Sequence, residues 1–533
     1  MKDSLIEVDP KELPANYTMI YTTTQLKLKR KATDGSPEKY KARTCARGDM
    51  IEGMLMQHET YSPTVSPITF ATIFQLAIID NMERACVDTI GAYLYQQYPH
   101  ETRPIYVKLE KEVAEICNLN PNAIYKMLRY IYGLPDAGRA YYEAYSKHLV
   151  ENGYSKSKLD LCLFIRVTAT ETTYIMIHVD DTFICSNSKE GILRLQSVLQ
   201  SKFDITINDN ADSYLGIYLN NLKDGSVQLL QPKLLNTIFE EFPQKGTRRP
   251  VTTPMKSTNS NSQSNQQSLP CDRKKYLHLL GALMYLTKSR PDIQTATSFA
   301  ATKSQNPTEY DYDQLLNIVD YLYNTKEKGL ILHRKLQHNN NSNSNNSALD
   351  NSLQQLQLKC YVDASYLIHP DSHSHTGYTL SFGDSGCFYS KSMKQQQVST
   401  SSTHAELRAL YTLVQDIIYI IDLMSDINRS LQLPAIVFED NFPVLQLAKS
   451  EATGARKCRH FQMLIAYVQE QVNNGLIEAR KVHTTKNNAD LLSKPIFGDD
   501  FHYKSDRIMG YAPNDNYNDE EIPRLKKTKH DST

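Results

Sequence analysis

Two sets of carboxylates end apolar runs of this chain, where their spacing could do metal-assisted chemistry. Asp180 and Asp181 separate the β-rich runs 174–179 (YIMIHV) and 182–185 (TFIC), a pattern that predicts a hairpin with the acid pair at its tip. An acid pair in a turn is ordinarily just solvated. Here Ile175, Ile177, Phe183 and Ile184 flank it closely. Two like charges held near an interior are costly unless a cation neutralises them. Asp88 follows the apolar run Ala85-Cys86-Val87 and precedes Gly91-Ala92-Tyr93. Carboxylates from separate strands can hold two Mg²⁺ ions roughly 3.5–4 Å apart, which activate an attacking hydroxyl and stabilise a leaving oxygen.

The second set is Asp363 at the end of KCYVD, Glu406 in STHAEL, Asp440 at the end of IVFED and Asp490 in NNADLLSKP. Each has a bland explanation. Glu406 could favour a helix N-terminus by about 0.3–1 kcal/mol, Asp440 could be a strand-end turn residue, and Asp490 could start a helix. Four such coincidences in one block are much less expected than any one.

The elements that must position these acids read as mixed α/β. Residues 123–132, 138–149, 276–289, 403–424 and 461–474 are expected as helices; Leu407, Leu410, Val414, Ile417, Ile418 and Ile421 share one face of the fourth. Residues 358–362, 376–382, 387–390 and 436–438 read as strands. Lys27, Lys29, Arg30, Lys31, Lys39, Lys41, Arg43 and Arg47 form a basic stretch. It is either a solvated hairpin or a strand pair that grips a triphosphate and template phosphates.

The chain has 533 residues, and 59 Lys+Arg offset 59 Asp+Glu. Zero net charge argues against a protein held to nucleic acid by bulk charge, though not against local basic patches. Hydrophobic residues make up 40%, enough for real cores. The nine cysteines are scattered without a C-x-x-C pair and there is no Trp; a disulfide framework is not expected, and a reducing compartment is. The first residues carry acids before any apolar run, so no secretory signal is expected, and no apolar run reaches the ~20 residues that span a bilayer. We expect a soluble protein. Low-complexity stretches at 256–268 and 338–347 read as solvated linkers. The expected organisation is a catalytic block at 1–255, linkers around a middle segment at 256–356, a second block at 357–498 and a polar, irregular tail at 499–533.

Asp88-x-x-x-Ala92-Tyr93, Tyr132-Gly133-Leu134, Val179-Asp180-Asp181 and Leu215-Gly216-Ile217 resemble successive motifs of a reverse transcriptase. Lys39-Tyr40-Lys41-Ala42-Arg43 and the stretch from Tyr276 to Ser289-Arg290-Pro291-Asp292-Ile293 are similar to segments of the copia-type long-terminal-repeat retrotransposons. YVDASY, STSSTHAEL, FEDN, RHFQ and NNADLLSKP resemble that family's ribonuclease H domain. The resemblance implies an α/β (α+β) fold: right-hand fingers, palm and thumb, a connection segment, then a ribonuclease H-like domain. It implies an RNA-directed DNA polymerase with ribonuclease H activity in retrotransposon replication. Asp88 and Asp180 would ligate metal, supported by Asp181. Tyr93 would be the steric gate under the nucleotide sugar, and Arg43 and Lys41 would contact the triphosphate. Gly133 would let backbone pass close to the nucleotide. Asp363, Glu406, Asp440 and Asp490 would ligate the nuclease metals; four carboxylates around two ions suit hydrolysis of a phosphodiester by water. Mg²⁺, two per site, is the expected cofactor, with Mn²⁺ as a substitute. The implied partners are RNA template, DNA primer, RNA·DNA hybrid and dNTPs, with integrase and capsid-like proteins of the same element. The implied location is cytoplasmic virus-like particles with later nuclear delivery of DNA.

Three departures bear on competence. His178 stands where the family usually has Tyr. Asp136 puts an acid where the family has a neutral amide near the nucleotide, so repulsion of a triphosphate is expected. Trp is missing throughout. No protease or integrase motif appears, so the chain reads as a processed product or a truncated remnant. The rivals to an active replicase are a non-catalytic nucleic-acid-binding remnant and a nuclease-only protein.

Overall fold

The computed structural model describes residues 4–30, 36–51, 60–242, 250–256, 269–336, 356–449 and 461–512. Lys31, Arg459 and His460 lie outside these residues, as does nearly all of both low-complexity stretches. The chain divides into two units. One gathers 1–243, 326–328 and 419–429, and the other 244–325, 329–418 and 430–533.

The first unit runs β1 (Leu5–Val8), β2 (Thr18–Arg30), β3 (Pro37–Ala46), α1 (Pro67–Ile79), β4 (Glu83–Thr89), β5 (Ile105–Lys108), α2 (Lys111–Ile116), β6 (Ile124–Met127), α3 (Ala137–Glu151), β7 (Ser155–Lys156), β8 (Leu163–Val167), β9 (Thr172–His178), β10 (Asp181–Ser186), α4 (Lys189–Gln200), β11 (Ile205–Asn208), β12 (Ser213–Tyr214), β13 (Ile217–Asn221), β14 (Val227–Leu230) and α5 (Pro232–Glu241). One sheet has the order β1-β6-β5-β2-β3 and a second β11-β4-β10-β9-β8-β7. The expected hairpin at 174–185 is the β9–β10 pair, and the basic stretch is the β2–β3 pair. Helix α1 is capped by Ser66, whose side chain accepts from the Thr69 amide, with Pro67 in its first turn. Its Phe74 ring meets Phe183 of β10 edge-on at 5.6 Å, which packs this nearly all-apolar helix beneath the acid-bearing hairpin.

The helix expected at 123–132 is not there. Residues 124–127 are strand β6, with Tyr125 and Met127 buried and Ile124 and Lys126 only partly so. That alternation is the period of a strand, and pairing with both β1 and β5 fixes it.

The second unit runs α6 (Arg273–Leu286), α7 (Gln294–Ala301), α8 (Glu309–Asn324), β15 (Leu330–Leu332), β16 (Gln357–Ser365), β17 (His375–Phe382), β18 (Tyr389–Lys394), α9 (Ser402–Asp426, in this unit to residue 418), β19 (Gln432–Glu439), α10 (Phe442–Lys449), α11 (Gln462–Asn473), β20 (Ile477–Lys481), α12 (Asp490–Ser493) and α13 (Gly498–Ile508). Its sheet has the order β18-β17-β16-β19-β20. The first three strands are antiparallel, and β16-β19 and β19-β20 are parallel. The parallel pairs require crossovers, which α9, α10 and α11 supply.

Two boundaries differ from the expected organisation. The middle segment is compact with the nuclease-like block rather than separate from it: Ser390 Oγ donates to Gln294 Oε1 at 2.8 Å. Residues 499–508, expected at the start of an irregular tail, belong to α13, with Phe501, Lys504, Ser505 and Ile508 buried. The many charges hid a one-sided face at i, i+3, i+4 and i+7. Among the described residues, no helix is long and apolar enough to cross a membrane.

Candidate catalytic centres

In the first unit the β-sheet register brings the predicted acids together. Asp181 of β10 lies directly opposite Asp88 of β4. Opposed residues of an antiparallel pair project from the same face. The Asp180 carbonyl accepts from the Thr89 amide at 3.1 Å, which ties the hairpin tip to the strand carrying Asp88. Val179 has φ 58, a left-handed conformation that a β-branched residue adopts only when its surroundings impose it. Asp88 is exposed, and Asp180 and Asp181 are half-buried.

Arg43 Nη2 lies 3.9 Å from Asp180 Oδ2, and its guanidinium sits 5.1 Å from the centre of the Tyr132 ring. Tyr132 in turn packs at 4.7 Å against Tyr93. Burial pushes both phenols above their ordinary pKa, and the Asp180 charge adds to it. Lys41 is exposed, paired in register with Lys27. Alternation along β3 puts it on the face of Arg43. Arg43, Tyr93 and the acids thus converge. Arg47 instead pairs with Asp49 at 2.7 Å.

Gly133 has φ 92, and a Cβ there would stand 2.1 Å from the Ala46 carbonyl oxygen. The glycine is required by close passage against β3, a reason the sequence did not offer. The expected repulsion by Asp136 meets a different environment. Its side chain is buried, paired at 2.7 Å with Arg103 Nη1 and accepting from the Tyr130 hydroxyl at 3.0 Å. Its charge is compensated inside the fold. Arg103 gave no signal because it lies 33 residues upstream on no recognisable motif.

In the second unit Asp363 ends β16, Glu406 lies in the first turns of α9, and Asp440 follows β19. Oxygens of these three carboxylates lie within 4.8 Å of one another. Glu406 Oε2 is buried without a hydrogen-bond partner, which suits a cation. Burial pushes Asp363 up to about 7, with the Asp490 charge adding and Lys494 opposing. Burial, then the Glu439 and Asp363 charges, pushes Glu406 well above the carboxylate range.

Asp490 is held by ammonium groups. Lys494 Nζ is 2.5 Å from its Oδ1 and 3.4 Å from Asp363 Oδ2. Lys504 Nζ of α13 is 3.2 Å from its Oδ2. Ser493 Oγ donates to Asp363. Gly377 lies opposite Asp363 in register, and a Cβ there would come 2.6–2.8 Å from backbone atoms of Leu492, Ser493 and Ala489. Its missing side chain lets the Asp490 turn reach Asp363.

Gly377, Lys504 and Glu439 also line this centre, beyond the residues expected from sequence. Glu439 is fully buried beside Asp440; its Oε1 accepts from the Asn441 amide at 2.8 Å, and its Oε2 has no partner. The acidic dipeptide was the available signal for Glu439.

Residues 9–257 match the family described as reverse transcriptase (RNA-dependent DNA polymerase). The chain is 26% identical to the retrovirus-related Pol polyprotein from transposon RE1 of Arabidopsis thaliana, over 91% of this chain and 31% of that protein. It is 25% identical to the corresponding polyprotein from transposon TNT 1-94 of Nicotiana tabacum, over 91% of this chain and 35% of the relative. The Ty1-LR2 Gag-Pol polyprotein of Saccharomyces cerevisiae matches at 23%, over 92% and 26%. The chain thus spans about a third or less of the length of these relatives. Among solved structures, the foamy viral protease-reverse transcriptase with double-stranded DNA aligns at TM-score 0.43 and 11% identity, over 91% of this chain and 67% of that one. LC11-RNase H1 aligns at TM-score 0.21 and 16% identity, over 26% and 92%. Residues 9–257 are therefore similar to the reverse transcriptase family, and about nine-tenths of the chain to Pol polyproteins of copia-type transposons.

Proposed function

We propose that this chain is an RNA-directed DNA polymerase with an associated ribonuclease H activity. The observation that carries the polymerase reading is the register pairing of Asp181 with Asp88 beside Asp180 and Arg43, within the segment similar to reverse transcriptases. Asp88 and Asp180 hold the metal and Asp181 supports them. Arg43 and Lys41 draw in the triphosphate of a dNTP. Tyr93, braced by Tyr132, packs under its sugar and disfavours a 2′-hydroxyl. Gly133 keeps β3 in place and leaves room for the nucleotide. Held by these acids, two Mg²⁺ or Mn²⁺ ions would activate the primer's 3′-hydroxyl and stabilise the leaving pyrophosphate. Positioning and electrostatics carry the rest of that catalysis.

Asp363, Glu406, Asp440 and Asp490 hold the metals of the nuclease, whose substrate is the RNA strand of an RNA·DNA hybrid. The 2′-hydroxyl is the handle that separates RNA from DNA. RNA template, DNA primer and hybrid are the partners, with the integrase and capsid-like proteins of the same element, in cytoplasmic particles and then the nucleus. The test is primer extension on poly-rA with oligo-dT and dTTP, with and without Mg²⁺. Mg²⁺-dependent extension that disappears in Asp180→Asn supports the polymerase; no extension by a folded, hybrid-binding protein removes it.

A further inference from the structure

Lys504 is a lysine in an apolar position. It shares a face of α13 with Phe501 and Ile508 and keeps 1% of its surface. Phe501 packs edge-on against Tyr321 of α8 at 5.7 Å, which seats the helix in its unit. An ammonium group in such a place costs several kcal/mol unless it is paired and hydrogen-bonded, and a leucine there would fill the same space at no electrostatic cost. The partners are specific. Lys504 Nζ lies 3.2 Å from Asp490 Oδ2 and 2.6 Å from Asp500 Oδ1, one turn back on its own helix. Asp490 sits at the start of a four-residue helix. An element that short does little to fix a side chain on its own.

We infer that Lys504 is a positioning residue of the nuclease centre: it fixes the orientation of the Asp490 carboxylate and so makes the helix 498–508 part of that centre. This rests on the nuclease reading above. Asp500 orients the ammonium from the solvent side, at 49% side-chain exposure. Outer partners that orient a metal-binding carboxylate set metal affinity as well as rate.

The test titrates Mn²⁺ into the full chain by calorimetry, in an Asp180→Asn background that removes the first unit's contribution. Hybrid cleavage is followed against Mg²⁺ in parallel. Lys504→Met should weaken Mn²⁺ binding about tenfold, the low end of the ~10–100-fold typical of such partners. It should raise the Mg²⁺ needed for half-maximal cleavage in step, and Lys504→Arg should restore most of both. In Asp490→Asn, Lys504→Met should add nothing. A folded Lys504→Met chain with unchanged Mn²⁺ binding and Mg²⁺ dependence overturns the inference, as does an equal further loss in Asp490→Asn. If Lys504→Met does not fold, Asp500→Asn decides: a smaller shift in the same direction supports the inference, and unchanged binding overturns it. A wild-type chain that leaves hybrid intact overturns the nuclease reading instead, since the Lys504 claim is decided by the binding arm.

Discussion

The two acidic centres are built on opposite electrostatic terms. Asp88 is exposed and Asp180 and Asp181 are half-buried, whereas Asp363, Glu406 and Asp490 keep 2%, 7% and 3% of their surface. The first centre has Arg43 at 3.9 Å from Asp180 as a loose counter-charge. The second needs Lys494 and a buried Lys504 close against Asp490. In the open centre water screens the acids. A closed one makes its carboxylates depend on cations to stay charged, so site and stability are coupled there.

That contrast is broken most directly by Glu406→Gln. It should abolish hybrid cleavage, by more than the ~10–100-fold typical of outer partners. In chelator it should also raise the thermal midpoint, because a neutral amide removes the cost of burying a carboxyl group among like charges. Asp180→Asn, at a solvated site, should leave stability within about 0.5 kcal/mol of wild type. Equal responses of the two centres would end the comparison. Gly377→Ala should cost roughly 1–3 kcal/mol by overpacking and impair cleavage while sparing primer extension; assaying both activities on one preparation checks it. Asp136→Asn should leave the KM for dTTP unchanged and lower stability by about 1–2 kcal/mol, a discounted loss because Arg103 is partly exposed. A tighter KM would restore the repulsion expected from sequence.

A further effect concerns pH. His369 Nε2 and His375 Nδ1 lie 3.0 Å apart in the second unit, facing Phe299, Ser392, Lys394 and Asp371. Burial, with Lys394 for His369 and His369 for His375, lowers their pKa values to about 4 and about 3. Below the ordinary value near 6.5 the unfolded chain therefore takes up protons that the folded chain resists. This contribution to stability is present above pH ~6.5 and lost as pH falls towards 4 and then 3. His375→Gln should shrink the loss between pH ~6.5 and ~4.5 by on the order of 2 kcal/mol. Thermal melts of both proteins across that range check it; identical slopes would assign the acid lability elsewhere.

The positions of the seven acids are legible because each flanks an apolar run or lies near the start of a helix; strand register brings Asp88 and Asp181 opposite each other, while Glu406 and Asp490 reach Asp363 from helices. The β9–β10 hairpin and the β2–β3 pair were legible for the same reason: their periodicity is local. What sequence did not reveal depends on contacts distant along the chain. Strand β6 looks helical in sequence because its neighbours β1 and β5, which decide its conformation, lie elsewhere along the chain. Asp136 read as a threat to the nucleotide because Arg103 could not be paired with it from spacing. Gly377 is an ordinary strand glycine until the Asp490 turn is laid across it, and Lys504 looks solvated in a charged segment until Phe501 and Ile508 show which way its face points.

Two separately built acidic centres should perform two reactions on one chain. Wild type, Asp180→Asn and Glu406→Gln should be followed together on a labelled RNA template annealed to a DNA primer, with dNTPs and Mg²⁺. We expect wild type to extend the primer and cut the copied RNA. On a preformed hybrid, Asp180→Asn should cut without extending, and on the primed template Glu406→Gln should extend without cutting. Loss of both activities in either folded variant, or extension that survives Asp180→Asn, would contradict the assignment of one reaction to each centre.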